Sequence, residues 1–152
     1  MSPRAAWRLE SYGFTRVYDY VPGKADWLAF NLPRQGWAHL AGDLLTRDLP
    51  TASVRDHLGD VRMSLRDSAV GLLVVLNHHG IVMGTLPVTA ADQSDGTPIE
   101  AIMDEGPTTI RPSEEVETLV ERMANADVDG VLVTSSDGKL LGLFERTSGQ
   151  CD

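Results

Sequence analysis

Two hydrophobic periods alternate along the second half of this chain. Val116, Leu119, Val120, Met123 and Ala124 recur at helical spacing and give one apolar stripe. Ser113 stands before them as a cap, and Glu114 and Glu115 suit the positive end of a helix dipole. Val131-Leu132-Val133-Thr134 is a short apolar run, read as a buried strand. Ser136-Asp137-Gly138 turns the chain, and Lys139–Glu145 returns as a second strand. Upstream, Thr97-Pro98-Ile99-Glu100 has the spacing of a capping box and predicts a short helix to about Met103. Thr108-Thr109-Ile110 is an extended stretch.

The same order occurs once before. Pro50–Val54 is extended, and a helix from about Arg55 to Asp67 carries Leu58, Val61 and Leu65. Gly71–Leu76 is a strand, His78-His79-Gly80 a turn, and Ile81–Leu86 a strand that Pro87 stops. A shift of 58 residues lays Leu58–Gly84 over Val116–Gly142 without a gap. Leu73-Val74-Val75 falls on Val131-Leu132-Val133, and Gly84 on Gly142. A fixed period of this length defines a duplicated α/β (α+β) unit and a pseudo-symmetric pair with a cleft between its halves. The expected division is residues 1–36 as an N-terminal arm, 37–92 as the first unit and 93–152 as the second.

The arm reads differently. Ser2-Pro3 opens a helix to about Ser11, with Gly13 as its C-terminal cap. Phe14–Tyr20 reads as a short strand, and Ala25–Phe30 as one or two helical turns. Trp7, Trp27, Trp37, Tyr12, Tyr18 and Tyr20 all fall near it. So little chain cannot bury them alone, so the arm is expected to dock on its own repeats or on a twin subunit.

Charge narrows the partners. The net charge is −9, and the 13 Lys and Arg residues are scattered, which disfavours nucleic acid and anionic membrane surfaces. No apolar run approaches the roughly 18 residues of a membrane span, and the N-terminus lacks the apolar core of a secretory signal, so a cytoplasmic protein is expected. The single cysteine, Cys151, reads as an inert tail thiol. His78 and His79 read as a solvated turn, and Asp127, Asp129 and Asp137 lack a calcium-loop spacing, so no metal is expected. Neither a nucleophile elbow nor a phosphate-binding Gly-rich loop is present, and the chain is expected not to be an enzyme.

The extended stretch, helix, apolar strand, tight turn and strand with an internal glycine resemble the CBS domain, the module named after cystathionine β-synthase. The resemblance spans about Leu49–Ser148 as a tandem pair. Its better copy carries Ile99-Glu100-Ala101-Ile102-Met103, Pro107-Thr108-Thr109-Ile110 and Asp137-Gly138-Lys139-Leu140-Leu141-Gly142-Leu143. It implies two β-α-β-β-α units packed sheet to sheet, a homodimer, and a regulatory role. It also implies an adenosine nucleotide (AMP, ADP or ATP) as ligand in the cleft between the units. The stretches expected to contact base and ribose are Thr108, Thr109 and Ile110, and in the first copy Thr51, Ala52 and Ser53. The edges of Val131–Val133 and Leu73–Val75 flank the base, which brings in Val131, Val133 and Val75. Arg111, Arg146 and Arg55 are the basic candidates for phosphate.

The family's ligand motif follows the last strand: Gly, two apolar residues, Ser or Thr, two variable residues, then Asp or Asn. The second copy has Glu145 and Ser148 at the two polar positions, and the first has Pro87 and Ala90. Glu145 opposes a phosphate, so weak binding of ligands with few phosphates is expected. A ligand-free scaffold is the alternative.

The arm has a resemblance of its own. Residues Ser2–Leu9, Gly13-Phe14, Val17-Tyr18, Gly23-Lys24, Trp27-Leu28-Ala29 and Leu32-Pro33 look like the C-terminal third of a rhodanese domain. That family's catalytic cysteine loop would lie before Met1. Two readings stand: a remnant reused for packing or as a sulfurtransferase accessory, or a true start upstream of Met1.

Overall fold

The computed structural model describes residues 2–30, 32, 33, 35 and 39–150; Met1, Trp37 and Cys151 lie outside them. The arm holds helix α1 (Ser2–Ser11) and helix α2 (Gly23–Ala29). The first unit holds β1 (Thr51–Ser53), α3 (Leu58–Arg66), β2 (Leu72–Leu76) and β3 (Val82–Pro87). The rest holds β4 (Asp104–Glu105), β5 (Thr109–Ile110), α4 (Val116–Asn125), β6 (Gly130–Thr134) and β7 (Leu140–Glu145). One sheet has the order β1-β2-β3-β4, the other β5-β6-β7. In each, a parallel pair is followed by an antiparallel hairpin.

The continuous apolar runs of β2 and β6 follow from burial on both faces. Leu73 and Val75 face α3, in a core with Leu58, Val61 and Leu65. Val131 and Val133 face α4, in a core with Val116, Leu119, Met123 and Phe144. Successive strand residues point to opposite sides, so Val74 and Leu132 meet in a third core between the sheets, joined by Leu49 and Leu143. The pairs Leu58/Val116, Val61/Leu119 and Leu65/Met123 are all buried, as the repeat requires. Each such side chain contributes about 1.5–3 kcal/mol of burial.

The 58-residue relation reaches further back than the sequence match. The Val116 amide donates to the His39 carbonyl (3.0 Å) and the Leu58 amide to Thr97 (2.9 Å). The Ala41 amide donates to Glu114 (2.8 Å) and the Ile99 amide to Asp56 (3.0 Å). Each pair maps onto the other under the same shift. The lead-in of one unit therefore crosses to the other: residues 39–46 pack on the second sheet, residues 97–105 on the first. Thr46 bridges Leu143, and Asp104 pairs with Thr85 in the equivalent place.

This crossing explains the internal glycines. A Cβ on Gly84 would stand 2.7 Å from the Asp104 carbonyl oxygen, and one on Gly142 2.7 Å from that of Thr46. The hairpin tips exchange bonds in the same way. The Val82 amide donates to Gly138 (3.1 Å), and the Leu140 amide to Gly80 (3.3 Å).

Five local expectations need correction. Phe14–Tyr20 forms no strand, because no neighbouring strand offers it a ladder. Thr97–Met103 is only a 3-10 turn at Ile99–Ala101, since the crossing chain must leave after one turn to join the sheet. Helix α4 is entered from Glu115, not Ser113, and α3 starts at Leu58, where the Asp60 carboxylate accepts the His57 amide (3.2 Å). Each unit closes on a 3-10 turn, Val88–Asp92 and Arg146–Gln150, in place of the second α-helix.

Candidate functional site

A cavity of about 460 Å³ opens where the two units meet. Its walls come from three places. Thr108, Gly130, Val131 and Leu132 form the head of the second sheet. Arg122, Met123 and Ala126 come from the end of α4, and Leu72 and Thr85 reach in from the first sheet. The size suits a small organic ligand, and the walls are mainly apolar with a few polar groups, as such sites usually are.

Local structure holds the cavity open. Helix α4 ends with Asp127 at φ +52°, the left-handed conformation that Asp tolerates better than most residues. The Val128 amide closes back on the Met123 carbonyl (3.0 Å), and the loop then delivers Gly130 to the strand. Gly130 has no side chain to fill the space. The equivalent residue in the other unit is Leu72, packed between the sheets. Thr108 likewise stands where the first unit has Pro50, and Pro107 where it has the buried Leu49.

The residues singled out from the sequence separate into groups. Thr108, Ile110 and Val131 line the cavity. Thr109 is exposed beside them and pairs with Leu132. Val75 and Val133 are fully buried in the two helix-side cores and do not line the cavity. Thr51 is exposed and pairs with Val74, while the Ser53 amide donates to Asp56 (2.8 Å). Pro87 ends β3 opposite Leu72, and Ala90 is buried in the first core.

Two of the three basic candidates, Arg111 and Arg146, are engaged through their guanidinium groups. The Arg111 guanidinium donates to the Thr134 hydroxyl (2.7 Å) and to the Ser135 carbonyl, clamping the end of β6. Arg146 pairs with Asp129 at 2.5 Å. Arg122, which the sequence reading missed, lines the cavity and pairs with Glu114 at 2.7 Å. Glu145 is half-buried and accepts a long bond from the Thr46 hydroxyl (3.5 Å). Ser148 is half-buried one turn beyond it. Arg55 is exposed, and its amide donates to the Ser53 hydroxyl (3.2 Å). His78 and His79 are exposed and lean on each other at 3.8 Å between ring centroids. Among the described residues no group of three His, Cys, Asp or Glu side chains could hold a metal ion. No described helix is long and apolar enough to cross a membrane.

The missed cavity residues left one signal in the sequence. Gly130 against Leu72 is a small-for-large exchange at the head of an otherwise matched strand.

This architecture is similar to that of solved CBS-pair structures. Residues 99–148 match the CBS domain family, about the last third of the chain. A search of curated proteins finds no match. Among solved structures, the cytosolic domain of the Mg2+ channel MgtE in complex with ATP is similar at TM-score 0.65 and 21% identity. The alignment covers 72% of this chain and 46% of that one, so this chain spans about half its length. CBSX2 in complex with AMP is similar at TM-score 0.63 and 17% identity, covering 74% and 93%. The CBS pair domain of the putative Mg2+ transporter SO5017 from Shewanella oneidensis MR-1 gives 0.66 and 13%, covering 98% and 91%. At these identities the likeness is one of fold.

Proposed function

We propose that this chain is a non-enzymatic regulatory module, a cytoplasmic homodimer whose cleft takes an adenosine-containing ligand with few phosphates. The cavity between the two sheets carries this reading. It places Thr108, Ile110 and Val131 at one wall and is large enough for a nucleoside. The ATP and AMP held by two relatives of the same fold support the ligand class.

The electrostatics favour low charge. Of the three partnered arginines only Arg122 lines the cavity, and a phosphate there would have to displace its pair with Glu114. Glu145, at the end of β7, and Ser148, in the turn beyond it, stand in place of the residues that would anchor phosphate and ribose. Each added negative charge meets an acidic surround, since residues 39–150 carry eighteen Asp and Glu against eight Lys and Arg. The N-terminal arm enters this reading as an assembly element. Its rhodanese-like stretch is read as a remnant reused for assembly.

Calorimetry with adenosine, AMP and ATP tests the proposal. Adenosine should bind at least as well as AMP, and ATP least. ATP binding tightest overturns the charge argument. Binding of none of the three leaves the ligand-free scaffold as the reading.

A further inference from the structure

The N-terminal arm lacks a surface that its composition requires. Helix α1 has ten residues, below the roughly 12–15 at which an isolated helix holds in water. Every hydrogen bond described for residues 2–35 stays within that stretch. Trp27 is half-buried, packed edge-on to Tyr20 and bonded to the Pro33 carbonyl (2.9 Å). Trp7, Tyr12, Phe14 and Tyr18 are 60–85% exposed. Scattered exposed apolar residues need no explanation, but a run of aromatics on one short segment does.

Charge selects the partner. Residues 2–30 carry Arg4, Arg8, Arg16 and Lys24 against three acidic side chains, whereas residues 39–150 are strongly acidic. Two arms would repel each other, while an arm and a body attract. On α1, Arg4 and Arg8 stand one turn apart with Trp7 on the same face. On α4, Glu117 and Glu121 also stand one turn apart, exposed and without an ion pair among the described residues. Like charges at that spacing destabilise a helix unless a cation lies across them. The stripe continues through exposed Ala124 and ends beside exposed Val128, a shallow apolar seat for an indole.

We propose that α1 of one copy docks on the outer face of α4 of a second copy. Arg4 and Arg8 meet the Glu117–Glu121 pair, and Trp7 covers the stripe toward Ala124 and Val128. The inference rests on the homodimer reading and names its contact.

Sedimentation of the full chain tests it, with four proteins compared: wild type, R4E/R8E, E117R/E121R and the variant with all four changes. Wild type should be dimeric at about 10–100 µM, where specific interfaces persist. Each reversal alone should weaken the dimer at least about tenfold, and the combined variant should recover most of the loss. Raising salt from about 50 to 500 mM should weaken the wild-type dimer, a readout that needs no variant. A monomeric wild type overturns both this contact and the homodimer reading. A dimer indifferent to either reversal and to salt overturns the contact alone. So does a combined variant no tighter than the singles, with circular dichroism confirming that each protein is folded.

Discussion

The two halves of the repeat share their crossing and differ in their cleft. Both send a lead-in segment across to the other unit, and both place a glycine where that segment passes, Gly84 and Gly142. At the head of the central strand they part: Leu72 fills the space between the sheets in one half, and Gly130 leaves it open in the other. The lesson is that backbone approach holds duplicated residues in step, while space for a ligand needs only one half to lose a side chain.

The crossing can be broken at either glycine. Gly84→Ala and Gly142→Ala each drive a methyl group into a carbonyl oxygen 2.7 Å away, and backbone cannot give as a side-chain tip can. Each should lower stability by about 1–3 kcal/mol in urea unfolding. Similar losses at both sites support an equivalent crossing. One harmless substitution shows that the halves are not held alike.

The difference can be erased by copying the filled half into the open one. Gly130→Leu should plug the cavity and lower adenosine affinity at least about tenfold, some 1.4 kcal/mol. Folding needs its own readout, because a new Cβ would stand 3.3 Å from the buried Leu143 side chain, which must shift to admit it. Calorimetry and thermal melting of the same sample separate the two effects. Undiminished binding would place the ligand elsewhere.

Much of this was legible in the sequence. The period of 58 gave the two units, and the paired burial of Leu58 and Val116 follows from it. The crossing was not legible. Pro98 and Leu40 are equivalent in space but share no residue type, and the bonds that reveal the relation are backbone bonds. The strand expected at Phe14–Tyr20 failed for a related reason: alternation proposes a strand, but only a neighbour makes one. Of the residues that line the cavity, Thr108, Ile110 and Val131 had been singled out through the family's extended stretch and strand edge. Arg122 was not, because a charge on a helix face normally points to solvent.

The loop after α4 offers a smaller contrast. Asp127 holds a left-handed backbone that glycine adopts without strain. Asp127→Gly should raise stability by up to about 1 kcal/mol, read as a higher urea midpoint. A loss would mean that the Asp127 side chain itself supports the cavity rim.

The hairpin turns give the finest test, because one titrates where the other does not. In the first, the Asn77 side-chain oxygen accepts the amides of His79 (2.9 Å) and Ile81 (3.1 Å). In the second, the Ser135 hydroxyl accepts the Lys139 amide (3.1 Å) and donates to the Asp137 carboxylate, which also pairs with the Lys139 ammonium (3.0 Å). The Ser135 hydrogen bond, then the contacts with Lys139, hold the Asp137 carboxyl below its usual range. A depressed carboxylate stabilises the folded turn above its unfolded value, and that support disappears as pH falls through the folded one. Amide exchange at Lys139 should therefore quicken as pH drops below the ordinary carboxylate range, after correction for intrinsic rates. Exchange at Ile81, held by an amide oxygen that takes up no proton there, should not. The window should vanish in Asp137→Asn, and equal acid sensitivity at Lys139 and Ile81 would show that both turns follow the global fold instead.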